Sequence, residues 1–246
     1  MNPRTVEAAQ GWRWIVDGYG LFRKNMPIWI SYTMLLGAMW FGSMLIPILG
    51  PLLFNLFSVV LFASLLLACH AQERNEPLTP RHLFAGFKAN VPALITVGGV
   101  YLAGTIIIIG IVYQSVDPSV FAMVKQGKKP PDPETAMQIM RAMGGALMIA
   151  MMLYMPLMMA VWFAPALIVF EKLPPGQAMK LSFAACLSNI LPCTVYGVAL
   201  MVLWIIASIP FLLGLIVLLP VIFCSVYVSY KDIFGLPPVT PNAAQP

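Results

Sequence analysis

Four stretches of this chain contain no Asp, Glu, Lys or Arg. Lys24 and Glu73 bracket 48 such residues, Lys88 and Asp117 bracket 28, Arg141 and Glu171 bracket 29, and Lys180 and Lys231 bracket 50. A helix crossing the hydrocarbon core of a bilayer needs about 20 apolar residues, at 1.5 Å of rise each. The shorter runs hold one such helix apiece. The longer runs hold two apiece, because each contains a turn: Pro47-Ile48-Leu49-Gly50-Pro51 in the first, and the segment from Pro210 to Gly214 in the second. Proline removes a backbone donor and glycine relaxes the chain, so such clusters stop helices. The pattern predicts six spans near 27–47, 52–71, 91–114, 143–170, 190–209 and 212–230. Backbone groups left unpaired in lipid are costly, which calls for helices. The alternating pattern of a membrane barrel is absent.

Composition agrees. Of 246 residues, 60% are hydrophobic and 9% charged, with a mean hydropathy of +0.87. Soluble domains carry about 45–50% apolar and 25% charged residues. This chain lacks the charge to clothe a water-facing surface. That excludes an ordinary soluble enzyme, a disordered chain and a disulfide scaffold. The expected fold class is an all-α integral membrane protein with six transmembrane helices.

The basic residues set the expected orientation. Ten fall on one side (Arg4, Arg13, Arg23, Lys24, Arg74, Arg81, Lys88, Lys172, Lys180, Lys231) and four on the other (Lys125, Lys128, Lys129, Arg141). The positive-inside bias places both termini in the cytoplasm. The net charge of +5 lies along membrane flanks and is no nucleic-acid signal. The first 25 residues include Glu7, Gln10 and Asp17 ahead of the apolar run, so they do not read as a signal peptide, and the first span serves as an uncleaved insertion signal.

A motif recurs before every odd-numbered span. Leu21-Phe22-Arg23-Lys24-Asn25-Met26-Pro27 precedes the first, and Leu83-Phe84-Ala85-Gly86-Phe87-Lys88-Ala89-Asn90-Val91-Pro92 the third. Leu181-Ser182-Phe183 with Leu187-Ser188-Asn189-Ile190-Leu191-Pro192 precedes the fifth. The spacing predicts a short surface helix turning into the membrane at Asn-x-Pro. The architecture expected is three parallel helical-hairpin repeats with cytoplasmic interfacial helices. Residues 1–25 are expected to form an amphipathic interfacial helix with Trp12, Ile15, Val16, Tyr19 and Phe22 on one face. Trp12, Trp14 and Trp29 suit the headgroup boundary. The transmembrane domain covers 26–235, and 236–246, with four prolines, is expected to be disordered.

Gly11-Trp12 with Trp14-Ile15, Gly20-Leu21-Phe22, Ile46 to Pro51, Leu83 to Phe87, Trp162-Phe163-Ala164-Pro165-Ala166 and Ser229 to Gly235 together resemble a bacterial six-helix inner-membrane family of unknown function. The resemblance covers nearly the whole chain. It is more distantly similar to the membrane domain of some glycerophosphodiester phosphodiesterases. That similarity implies no catalytic residues here, because those enzymes keep catalysis in a separate soluble domain.

Ionisable groups inside a membrane mark function, and here they stand only at the edges of the spans. His70 and Glu73 share a face at the inner end of the second span, a spacing suited to a metal or a proton relay. A boundary histidine in water is the plainer reading. Asp232 stands ready to pair with a basic residue of a surface helix. The cysteines Cys69, Cys186, Cys193 and Cys224 form no C-x-x-C and are expected as reduced thiols. Met137, Met140 and Met143 lead a methionine-rich fourth span. Thioethers select Cu(I), but methionine is also an adaptable filler, so neither a metal site nor a cofactor is expected. Pro156 and Pro165 predict kinks in that span, the kind of break where transporters place substrate. The loop Lys128-Lys129-Pro130-Pro131-Asp132-Pro133 is polar and proline-rich, with Asp132 as the expected cap of the fourth span.

The expected function is non-enzymatic: a membrane interaction or scaffold protein that engages lipid. Candidate lipid-facing residues are Trp12, Trp14, Arg23, Lys24 and Lys88. Expected partners are membrane lipids, with a protein partner or a second copy of the chain left open, and no nucleic acid. A small-molecule or ion transporter is the alternative, requiring a polar cavity near Pro156 and Pro165 faced by Asn55, Tyr154 or Ser208. A membrane-embedded enzyme ranks third and requires His70, Glu73 and Asp232 to converge.

Overall fold

A computed structural model describes residues 3–118, 133–209 and 212–235. The tail 236–246, the lysines and prolines between Lys125 and Asp132, and Pro210 of the second turn lie outside the described residues. Those residues contain helices and no strand. They are α1 (Gln10–Arg23), α2 (Met26–Ser43), α3 (Leu49–Glu73), a 3₁₀ helix (Pro80–Lys88), α4 (Val91–Ser115), α5 (Pro133–Trp162), α6 (Ala164–Phe170), α7 (Pro175–Ser188), α8 (Ile190–Ser208) and α9 (Leu215–Phe234).

Five helical segments are long and apolar enough to cross a membrane: α3, α4, α5 joined to α6, α8 and α9. Helix α2 is 18 residues long and free of charge, but Trp, Ser, Tyr and Thr dilute its apolar content. Each Asn of the recurring motif stands at a helix start, and of the three only the Asn90 side chain accepts a capping hydrogen bond, from the Ala93 N–H. Asn25, Asn90 and Asn189 are the N-cap residues of α2, α4 and α8. Pro27 and Pro92 sit in the first turn, where a missing N–H costs nothing.

The short helices lie at one end of the bundle, each against one of the long apolar helices α3, α5–α6 and α9. The 3₁₀ helix packs on α3, α7 packs on α5 and α6, and α1 packs on α9, the last helix of the chain. Two of these contacts run through glycine. A Cβ on Gly18 of α1 would stand 2.6 Å from the Ser225 nitrogen of α9, and one on Gly86 would stand 2.7 Å from Ser64 Oγ of α3. The Gly86 N–H donates to that same hydroxyl at 2.8 Å. The N-terminal segment continues the closure. The Arg4 N–H donates to the Ile233 carbonyl (2.7 Å), and the buried Asn189 accepts from the Val6 N–H and donates to the Arg4 carbonyl.

The turns at the opposite end match each other. Ile48 and Leu212 both take a positive φ (66° and 65°), and Gly50 and Gly214, two residues later, lie against Ser43 and Ala207, the ends of the preceding spans. Positive φ also follows the even spans, at Asn75, Lys172 and Gly235.

Three expectations are corrected. Trp14 is 2% exposed and therefore not lipid-facing, and Trp29 is buried as well. The face of α1 turned to the protein is Gly11, Trp14, Ile15, Gly18, Leu21 and Phe22, leaving Trp12, Val16 and Tyr19 outward. The glycines choose that face, because only there can α9 approach. Helix α5 runs unbroken through Pro156, and the chain instead breaks at Phe163, ahead of Pro165 in the first turn of α6. The Ser182 hydroxyl of α7 supports this break. It accepts from the Phe163 N–H at 2.9 Å and donates to the Met159 carbonyl at 2.7 Å. Freed backbone groups are tolerated at membrane depth where a neighbour re-satisfies them.

The glycine contacts yield a paired prediction. Gly18→Ala forces α1 and α9 apart at a cost of about 1–3 kcal/mol. Gly20→Ala, on the same helix with open space at its Cβ, is expected to stabilise by up to about 1 kcal/mol. Thermal unfolding in detergent checks both, and equal shifts for the two variants would contradict the close α1–α9 approach.

Candidate functional site

At the end capped by the short helices, polar side chains form two groups inside an otherwise apolar bundle. The inner one joins three helices. Trp29 on α2 donates its indole N–H to Gln72 of α3, and Gln72 Nε2 donates to the Leu21 carbonyl of α1 at 2.7 Å. Tyr32, one helical turn from Trp29, donates to the Thr79 carbonyl at 2.7 Å. Gln72 thus uses a donor and an acceptor at once. Removing it strands the buried Trp29 N–H, while the Leu21 carbonyl keeps its bond from the Lys24 N–H.

The second group lies where α3 meets α9. His70 Nδ1 is 2.9 Å from the Tyr227 hydroxyl, which donates to Glu73 Oε2 at 2.7 Å, and Lys231 pairs with the other Glu73 oxygen. The i, i+3 spacing of His70 and Glu73 places them together, and Tyr227 and Lys231, four apart on α9, meet them from across the interface. Histidine, carboxylate, phenol and ammonium are therefore tied to one another. Asp232 is not among them. It accepts the Trp14 indole N–H at 2.8 Å, so its partner on the surface helix is an indole in place of the expected basic residue. His70 is half-buried and bound to Tyr227, not a histidine in free water.

Above this group a cavity of 720 Å³ opens between α1, α3 and α9, lined by Asp17, Tyr19, Arg23, Lys24, Glu73 and Lys231 among others. The Arg23 guanidinium lies over the Tyr19 ring, 5.8 Å from its centre. Lys231 is neutralised by Glu73. Arg23 and Lys24 form no salt bridge among the described residues, whose ion pairs are Arg74–Glu76 and Lys231–Glu73. Both side chains are exposed. Beside them runs an outward apolar stripe of α1: Trp12 (51% exposed), Val16 and Tyr19. The other short helices present similar groups, Phe84 and Phe87 on the 3₁₀ helix, Phe183 and Leu187 on α7. Lys88 ends the 3₁₀ helix, exposed and away from this cavity.

The remaining candidates lie elsewhere. Pro165 lines a second cavity of 530 Å³, deep in the bundle and almost wholly apolar. Pro156, Asn55, Tyr154 and Ser208 do not line it. The Tyr154 hydroxyl pairs with that of Tyr101, and Ser208 donates to the Trp204 carbonyl of its own helix. Met137, Met140 and Met143 stand exposed along the first turns of α5. No cluster of His, Cys, Asp or Glu suited to a metal occurs among the described residues. All four cysteines are free thiols. A hydrogen bond with Cys193, together with burial, pushes the Cys186 thiol of α7 well up, so it stays protonated.

Sequence reasoning singled out His70, Glu73, Arg23 and Lys24, and Asn189 as a turn residue. It missed Gln72, Tyr227 and Ser182 as organising residues. The available signal was an uncharged hydrogen-bonding side chain at the end of an apolar run, where the alternative to a partner is an unpaired polar group.

The inner polar group predicts a coupled energetic response. Gln72→Leu leaves the Trp29 N–H unpaired, at about 1–3 kcal/mol. Adding Trp29→Phe removes that stranded donor, so the double variant is expected to be destabilised less than additively. A thermal-unfolding cycle in detergent measures this, and strictly additive losses would show that the two side chains do not act as a unit.

No protein-family model matches the chain, and no solved structure matches it. It is 28% identical over 269 aligned positions to a probable inner membrane protein of Burkholderia thailandensis, covering 94% of this chain and 93% of that one. The long apolar helices read as those of a multi-pass membrane protein, and the relative is named as one of the inner membrane.

Proposed function

We propose that the chain is a six-span member of the inner-membrane family it resembles, with both termini cytoplasmic, acting without catalysis as a membrane interaction protein that holds anionic lipid at its short helices. Arg23 and Lys24 carry this reading. They are cations without an acidic partner, beside the outward stripe of Trp12, Val16 and Tyr19. A basic cavity rimmed by exposed aromatics fits the headgroup layer, where basic residues meet lipid phosphates and indoles settle at the boundary. The outward Phe84, Phe87, Phe183 and Leu187 give the other two short helices the same character.

The matched turns and the three Asn N-caps support a reading as three hairpins of one design. The short helix that opens each hairpin packs on an even span, and α1 closes the ring on α9. Helix α2 is then the sixth span, completing the first hairpin with α3.

The competing readings draw less support. An enzyme needed His70, Glu73 and Asp232 in one pocket, and Asp232 is held instead by Trp14. A transporter needed a polar path near the prolines, and the cavity beside Pro165 is apolar. The copper reading needed thioethers gathered around a point, and Met137, Met140 and Met143 are spread along an exposed helix.

Native mass spectrometry of the full-length protein, released from mild detergent in the presence of phosphatidylglycerol or phosphatidylcholine, tests the proposal. The wild type is expected to retain phosphatidylglycerol preferentially. At about 1 kcal/mol per basic residue, Arg23→Gln with Lys24→Gln lowers that preference by about thirtyfold. Equal retention of the two lipids by the wild type would overturn it.

A further inference from the structure

The apolar cavity of 530 Å³ lies between α2, α3, α4, α5, α6 and α9, well below the charged groups. Its volume falls within the range of small-ligand pockets. Along α3 its wall runs from Phe54 to Leu65, about 16 Å at the helical rise. That is roughly half of the hydrocarbon core, the depth of one leaflet. It is not sealed. Trp40, near the end of α2 remote from the short helices, is 44% exposed, and Gly37, Tyr101 and Met158 are half-exposed.

The chemistry of the wall selects its occupant. Three hydroxyl side chains line it, and each is already spent inside the protein. Thr33 donates to the Trp29 carbonyl, Ser58 donates to the Asn55 carbonyl, and Tyr101 pairs with Tyr154. The other polar atoms of the lining side chains are the indole N–H groups of Trp40 and Trp162. A water needs two to four polar partners, so this space does not hold ordered water. An empty space would forfeit dispersion contacts along its whole wall. A polar metabolite would find only two indole donors and the spare lone pairs of hydroxyls already bonded within the protein, too few to orient it. A hydrocarbon chain loses nothing on entering, and hydrocarbon is what surrounds these helices in a bilayer.

We propose that this cavity is a binding site for one acyl chain of a phospholipid from the leaflet on the side of the Ile48 and Leu212 turns. The chain enters beside Trp40, whose indole stands at the level where such side chains meet headgroups. It lies along α3 toward Leu65. This site is separate from the charged cavity at the short helices and does not depend on that reading.

Gly37 supplies the test. It lines the cavity, and a Cβ there meets nothing within 4 Å. Gly37→Leu therefore fills the space without striking backbone. The full-length protein is reconstituted in phosphatidylethanolamine–phosphatidylglycerol vesicles containing phosphatidylethanolamine with a diazirine in one acyl chain, illuminated, and mapped by peptide mass spectrometry. The wild type is expected to carry label on Leu61, Phe62 and Phe223 of the inner wall. Gly37→Leu is expected to lower that label several-fold while leaving Ile107 and Met152, on the outer surface of the bundle, labelled as before. If Gly37→Leu fails to accumulate, Val161→Met narrows the cavity from α5 and is expected to act in the same direction. Arg23→Gln with Lys24→Gln is expected to leave the inner label unchanged, which separates this site from the surface one. Inner-wall residues unlabelled in the wild type, or labelled equally in Gly37→Leu, would overturn the proposal. So would a native mass showing an isoprenoid retained in place of phospholipid.

Discussion

Helix α1 lies so close to α9 at Gly18, and to α8 at Gly11, that neither glycine has room for a side chain, and much of the bundle's order depends on the α1–α9 contact. It joins the first helix of the chain to the last. Once α1 is seated, Leu21 presents its carbonyl to Gln72, Trp14 reaches Asp232, and the segment ahead of α1 bridges Asn189 and Ile233. The 3₁₀ helix on α3 and α7 on α5 and α6 repeat the arrangement within neighbouring parts of the chain. The α1–α9 contact alone closes it over the full length. Such closure suits a protein whose spans gain little from mutual hydrophobic attraction in lipid and rely instead on close packing and hydrogen bonds.

A small set of side-chain hydrogen bonds joins separate elements among the described residues. Gln72 joins α1, α2 and α3. Ser182 holds the break at Phe163 from α7, and Asn189 holds the N-terminal segment. Glu73, Tyr227, His70 and Lys231 fasten α3 to α9. In an apolar surrounding an unpaired polar atom is costly, so these partners fix which helices meet and in what register. They also account for the division of the molecule. The end bearing the short helices is keyed by polar contacts and charged at its rim, while the opposite half is apolar and contains the cavity beside Pro165.

The spans were legible because runs without charge are a constraint no soluble fold imposes, and the helix starts because asparagine and proline act locally. The buried face of α1 was not legible. Apolar periodicity favours a face with Trp12, Val16 and Tyr19, whereas the partners α8 and α9, distant in the chain, select the face with Gly11 and Gly18. His70 and Glu73 could be paired from their spacing, but Tyr227 and Lys231 complete the group only through that same distant packing. Pro165 breaks its helix and Pro156 does not, because Ser182 is at hand to receive the groups freed near Phe163. Sequence alone does not say where such a neighbour stands.

The central claim is that the helices alternate across the bilayer as three hairpins, α2 included. Labelling of single cysteines, introduced after replacing the four native ones, by a membrane-impermeant maleimide applied to either face of the membrane tests it most directly. Cysteines at Ala8, Asn75 and Lys172 are predicted to react from the cytoplasmic face, and those at Ile46, Ser115 and Leu212 from the opposite face. Reaction of the Ala8 and Ile46 positions from the same face would contradict it, because α2 would then not cross.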